Sequence, residues 1–211
     1  MQGESMPELP EVETIRRGLS KHLPGRTIQR VTVREARLRR PVNTHKLDEL
    51  VAGARVARIR RRAKYLLIEL QSEATLIVHL GMSGSLLLLT EARPVEKHDH
   101  VIFHLDHGWE LRFRDPRRFG LVDAVRTREV RTYPRFVHLG LEPLSARTKP
   151  DVLFDKAQRS TRPIKNLLMD GTFLVGVGNI YANEALFHAG IHPARPAGSL
   201  TASDWQRLLE Q

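Results

Sequence analysis

The chain has 211 residues, 41% of them hydrophobic, enough to fill one large core or two modest ones. Its 34 Lys and Arg against 24 Asp and Glu give a formal charge of +10, which favours a polyanionic partner, nucleic acid before an anionic membrane. With no cysteine, a disulfide and a thiolate zinc site are excluded within this chain, and no apolar run reaches the roughly 18 residues of a membrane span.

Met1 to Ser5 show neither a basic leader nor an apolar segment, so the expectation is a cytoplasmic protein without a signal peptide. Met6-Pro7-Glu8-Leu9-Pro10-Glu11-Val12-Glu13 then crowds two prolines and three carboxylates together. Prolines and glutamates suit the first turn of a helix, and that is the plain reading of the segment. A second reading is chemical. If Met6 were the true start and were removed, Pro7 would carry a secondary amine that can attack a sugar or carbonyl carbon and form an iminium, with Glu8 as the neighbouring acid.

From Pro10, the spacing of Val12, Ile15, Leu19 and Leu23 predicts a helix that ends at Pro24-Gly25. Eight segments of strand character follow: Ile28 to Val33, Ala54 to Ile59, Tyr65 to Leu70, Thr75 to Leu80, Ser85 to Leu89, Val101 to Leu105, Trp109 to Phe113 and Leu121 to Val125. A short helix is expected at Lys46 to Ala52, and the strands suggest a sandwich. In Trp109 to Arg114, apolar and charged residues alternate, predicting one face on a core and the other wet and basic.

Basic residues gather at Arg34 to Arg40, Arg58 to Lys64 and Arg114 to Arg118, each expected at a strand end or loop bordering a phosphate-tracking groove. Lys64 opens an apolar run, so it is expected to point inward and to titrate readily. The loops Gly81-Met82-Ser83-Gly84 and Asp115-Pro116-Arg117-Arg118-Phe119-Gly120 carry Met82 and Phe119, which resemble apolar wedges that fill the space of an extruded base. His98-Asp99-His100 is the nearest candidate for a metal site, but two imidazoles without a third ligand are weak grounds, and no metal is assigned.

Leu139 to Ser145 reads as a linker, after which the pattern is helical: Val152 to Arg159, Ile164 to Met169, a helix opening near Asn179 and ending near Gly190, and a last helix capped by Thr201. Gly176 and Gly178 do not complete a dinucleotide fingerprint, which leaves a turn whose amides, with Asn179, can hold a phosphate. The last helix stops at Gln211 after few turns, so the chain is expected to be a fragment.

With these motifs in place, the chain resembles the Fpg/Nei family of base-excision repair enzymes, on its formamidopyrimidine-DNA glycosylase branch. The likeness rests on Pro7 to Thr14, Arg61 to Leu67, His79 to Leu86, Lys97 to His100, Asp115 to Gly120 and Val175 to Ala182, and Leu9 favours this branch over endonuclease VIII-like relatives. It implies an α+β fold: an N-terminal β-sandwich with flanking helices over residues 1–139, a linker at 140–150, and an all-α helix-two-turn-helix domain, incomplete here, over 151–211.

It also implies removal of oxidised purines, such as formamidopyrimidines and 8-oxoguanine, followed by β,δ-elimination. The implied catalytic residues are Pro7 as nucleophile, Glu8 as the acid at sugar-ring opening, Lys64 in proton transfer and Glu11 orienting the terminus. The implied DNA contacts are Met82, Arg117 and Phe119 in the hole and at the orphaned cytosine, with His98, Lys165 and Asn179 on phosphates. The expected partner is damaged double-stranded DNA, met by a monomer in the bacterial cytoplasm at the nucleoid, without membrane attachment. The chemistry needs no cofactor in this chain, and the family's structural zinc would lie beyond Gln211.

Two departures qualify these implications. While Met1 to Met6 stay attached, the Pro7 nitrogen is a tertiary amide with no basic lone pair, and the alternative is a non-catalytic DNA-binding fragment or paralogue. The other is the missing C-terminal part. A basic RNA-binding or ribosomal protein is a third reading, resting on charge alone.

Overall fold

The computed structural model describes residues 7–91 and 93–211, and the expectations for Met1 to Met6 lie outside them. Among the described residues no helix is long and apolar enough to cross a membrane. The chain divides into two compact units, the first ending at Pro134 and the second spanning Arg135–Gln211.

The first unit opens with helix α1 (Leu9–Ser20), which carries a proline in its first turn and buries Leu9, Val12 and Leu19. Eight strands follow: β1 (Ile28–Val33), β2 (Val56–Arg62), β3 (Tyr65–Leu70), β4 (Ala74–His79), β5 (Ser85–Leu89), β6 (Asp99–Leu105), β7 (Glu110–Arg114) and β8 (Leu121–Arg126), with helix α2 (Thr44–Val51) between β1 and β2. They form two four-stranded antiparallel sheets ordered β1-β6-β7-β5 and β2-β3-β4-β8. One apolar core draws on both, with Val101, Phe103, Leu111 and Phe113 from one sheet and Leu66, Ile68, Leu76 and Val78 from the other. Helix α1 lies on β2 and β3, and α2 lies on β1, β4 and β8. This is the α+β sandwich with flanking helices that the strand pattern predicts, and all eight strands form where expected.

Two local expectations are overturned. The second basic cluster is not confined to a strand end and loop, because β2 runs through Arg58, Arg60 and Arg61 before ending at Arg62, with only Lys64 in the turn. Cross-strand pairing explains it: Arg58 and Arg60 both bind Glu69 on β3, so opposite charges sit on neighbouring strands and the ladder continues. On β7, Arg112 is not on a wet face, being only 2% exposed. Its guanidinium is consumed by Asp99, Glu110 and the carbonyls of Arg93 and Pro94, which compensate the desolvation.

The second unit packs helices α3 (Pro150–Ala157), α4 (Ile164–Leu168), α5 (Asn179–His188) and α6 (Ala202–Leu209) around a separate core centred on the fully buried Trp205. Thr201 caps α6 by accepting from the amide of Asp204, whose carboxylate returns a bond to the Thr201 amide. Residues expected as linker are tied into this unit, since Leu141 bridges to Leu174 and Thr148 donates its hydroxyl to the Glu142 carbonyl.

Candidate active site

The Pro7 end of the chain is anchored by the start of α1. Glu11, in the first helical turn, accepts a hydrogen bond from the Glu8 amide through Oε2 at 3.0 Å, and Glu8 itself is only 3% exposed. Opposite charge reaches this end from the turn between β2 and β3, where Ala63 takes a left-handed φ of 52°. Lys64, the other residue of that two-residue turn, is half-buried. Burial pushes its ammonium below the usual lysine range, while the carboxylates of Glu8 and Glu11 act in the opposite direction. The sequence-predicted Glu8, Glu11 and Lys64 are thus within electrostatic reach of one another, next to Pro7.

Arg61 holds the turn against the helix. Its Nε donates to Glu13 at 3.1 Å and its Nη1 to the Ala63 carbonyl at 2.9 Å, and the side chain is 8% exposed. Glu13 also takes Arg16 and Arg17, and these arginines bring its carboxyl down to about 2. The expectation of a groove-facing Arg61 missed this tie; the signal available was Glu13, an acid beside Arg16 and Arg17 on α1.

A second group forms at the two glycine-bounded loops. Met82, Arg117 and Phe119 border one cavity of about 840 Å³, whose other bank is Arg37, Leu38 and Arg39. Phe119 is 43% exposed, and the Arg117 guanidinium lies 5.0 Å from its ring centre. The backbones of the loops touch: Gly81 has a φ of +68°, and a Cβ there would stand 2.5 Å from the Gly120 nitrogen. Behind them the fully buried Asp115 accepts from the Ser83 hydroxyl at 2.8 Å and from the Gly120 amide at 2.8 Å. Glu35 ties the other bank in, pairing with Arg37 at 2.9 Å and reaching Arg118 at 3.5 Å; its carboxyl is held at about 2, chiefly by Arg37. The structure therefore brings the three wedge candidates to one surface, and the contribution of residues 37–39 was not foreseen.

His98 occupies a half-buried turn just before β6. Its ring lies 6.0 Å from that of His100, but His100 bonds to the Asp115 carbonyl and Asp99 is bound by Arg112 and Arg114, so the three do not converge on a shared point. Among the described residues no group of three His, Cys, Asp or Glu is placed to hold a metal, and a cysteine-free chain offers zinc no thiolate.

In the second unit, Lys165 lies on α4 and is half-buried, and Asn179 is the exposed first residue of the ten-residue α5. Gly176, with a φ of +84°, makes the turn that delivers the chain to that helix start.

Comparison with known proteins agrees with this architecture. The profile of the formamidopyrimidine-DNA glycosylase N-terminal domain matches residues 6–122, and that of the formamidopyrimidine-DNA glycosylase H2TH domain matches residues 139–211. The chain belongs to the formamidopyrimidine-DNA glycosylase family, enzymes of base-excision repair. It is 50% identical over 207 residues to the formamidopyrimidine-DNA glycosylase of Klebsiella pneumoniae, covering 97% of this chain and 74% of that protein. The Laribacter hongkongensis enzyme is 50% identical over 205 residues, covering 97% and 75%. Among solved structures, Lactococcus lactis Fpg in complex with an abasic-site-containing DNA superposes with a TM-score of 0.87 at 34% identity, covering 96% of this chain and 74% of that one. The same enzyme with an N7-benzyl-Fapy-dG-containing DNA gives 0.88 at 34% identity, covering 97% and 75%. Family membership accounts for the resemblance that six sequence blocks carry, and the H2TH profile begins at residue 139, ahead of the linker expected at 140–150.

Proposed function

We propose that this chain is a bifunctional glycosylase and lyase that excises oxidised purines from duplex DNA through the amine of Pro7. The observation that carries the reading is the half-buried Lys64 facing the carboxylates of Glu8 and Glu11 beside Pro7, in a chain of this family. The Pro7 nitrogen attacks C1′ of the damaged nucleoside as the bond from C1′ to the base breaks; the attacking nitrogen gives up its proton, and the base leaves with the bonding pair and takes up a proton. Glu8 protonates the ring oxygen as the sugar opens. The adduct is a cationic iminium, which acidifies the neighbouring C2′ proton and so drives elimination of the 3′ phosphate; the conjugated iminium that results acidifies the C4′ proton, whose loss expels the 5′ phosphate. A lysine with a lowered pKa holds a larger neutral fraction than a solvated one and suits proton transfer in these steps. Glu11, bonded to the Glu8 amide, fixes the direction in which the chain enters the helix and so aims Pro7.

Met82, Arg117 and Phe119 fill the hole left by the extruded nucleotide and contact the orphaned cytosine. His98, Lys165 and Asn179 take phosphates, Asn179 from a helix start whose amides favour an anion. We further propose the sandwich and the helical part as separate domains, with damaged double-stranded DNA as the partner of a monomer in the bacterial cytoplasm.

The amine must be free for this chemistry, and a chain that retains Met6 can bind but not trap. Borohydride treatment with duplex carrying 8-oxoguanine opposite cytosine, on protein whose N-terminus is read by intact mass, tests the mechanism. A Pro7-terminated chain should give a covalent adduct and the Met6-extended chain none. Absence of an adduct from the Pro7-terminated form would leave a DNA-binding protein without catalysis. Lys64→Ala in the trapping-competent form should lower base excision by about 100-fold, in line with loss of a general acid or base.

A further inference from the structure

The strand ladders hold the two loops that carry Met82, Arg117 and Phe119 at their roots, pairing His79 with Leu121 and Ser85 with Arg114, but the ladders end there and something else must tie the loop tips. A chain of hydrogen bonds does so. The Arg117 amide donates to the Ser83 hydroxyl at 3.2 Å, and that hydroxyl donates to Asp115 Oδ1 at 2.8 Å. Oδ2 of the same carboxylate accepts from the Gly120 amide at 2.8 Å. The Asp115 carbonyl is held in turn by the His100 ring at 2.8 Å and by the Arg118 amide at 3.2 Å, which roots the chain in β6. Asp115 is fully buried and none of these partners is a cation, so the carboxylate is held by hydrogen bonds alone.

We propose that Asp115 and Ser83 are positioning residues, a clasp that holds Met82 on one loop in register with Arg117 and Phe119 on the other, so that the wedge is assembled before DNA arrives. Neither residue need touch the nucleic acid. The clasp spans the loops at the residues flanking the wedge: Ser83 adjoins Met82, while Asp115 and Gly120 bracket Arg117 to Phe119. A preformed wedge enters the duplex without ordering its own loops in the same step, so breaking the clasp should slow insertion while the fold is retained. The inference rests on the wedge reading given above and adds to it a cause for the wedge's rigidity.

The test uses the full chain and a duplex bearing a tetrahydrofuran abasic analogue with 2-aminopurine in the opposite strand, a probe that cannot be cleaved and reports unstacking by fluorescence. Ser83→Ala should slow the fluorescence change by about ten-fold or more, the loss expected for a hydrogen bond to a charged acceptor. Ser83→Thr, which keeps the hydroxyl, should restore the wild-type rate, and the circular dichroism of both variants should match the wild type. An unchanged rate in Ser83→Ala, while Phe119→Ala abolishes the signal, would overturn the clasp and leave the wedge standing. If Phe119→Ala itself left the signal intact, the wedge reading would fall and the clasp with it.

Discussion

Lys64 shows how one side chain is tuned by opposing forces. Burial depresses its pKa below the usual lysine range, and Glu8 and Glu11 push it back up. Between the folded value and 10.5 the unfolded chain holds the proton more tightly, so this group makes stability rise with pH across that window; at neutral pH its burial is a cost. Removing one counter-charge should expose the balance. Glu11→Gln is expected to lower the Lys64 pKa further, read by titrating the reductively methylated lysine by NMR, and an unchanged midpoint would separate the two groups electrostatically. Glu13 behaves in the reverse sense. Its carboxyl falls from 4.5 to about 2 on folding, so its stabilisation is complete above pH 4.5 and is lost as pH drops toward 2. Glu13→Gln should flatten that acid limb in a series of thermal melts. Part of the slope will remain, because Glu35 and Asp170 are depressed to about 2 as well.

Elements place these side chains by register and by close approach. The antiparallel pairing of β2 with β3 sets Arg62 opposite Tyr65, leaving Ala63 and Lys64 as the turn. The two-residue turn fixes this register, and a slip of one position would turn every side chain of the slipped strand to the opposite face. The loop after β4 is equally constrained. Gly81→Ala places a methyl 2.5 Å from the Gly120 nitrogen at a left-handed φ, and a loss of about 1–3 kcal/mol is expected from urea denaturation. In the helical unit, Trp205→Ala opens a hole at a fully buried position touching the Phe173 ring, 5.8 Å between centres, and should cost about 3–5 kcal/mol.

For the whole molecule, the charge of +10 is the largest long-range term, but its distribution decides what it does. Many arginines are committed to ion pairs: Arg58 and Arg60 with Glu69, Arg61 with Glu13, Arg112 and Arg114 with Asp99. Phosphate contacts must therefore come from a subset of the cations. DNA affinity measured against salt should fall log-linearly, and Lys165→Ala should reduce the slope by about one unit, whereas Asn179→Ala should weaken binding and leave the slope nearly unchanged.

By itself the sequence determined which segments become strands and helices, because the two-residue alternation and the three-to-four-residue spacing of apolar side chains are local. It also determined the family, since the motifs are contiguous blocks such as Asp115 to Gly120. Only the tertiary structure decided which charges are spent inside the protein. The burial of Arg112, the tie from Arg61 to Glu13 and the clasp of Ser83 with Asp115 join residues 13 to 48 positions apart or set on neighbouring strands. Such partners are chosen by sheet register and by the removal of water, and neither is written in the spacing of one segment. That is why the arginine-rich stretch at residues 58–62, expected at a strand end, proves to be a continuous paired strand that leaves Arg58 and Arg60 exposed beside Glu69 and turns Arg61 inward to Glu13.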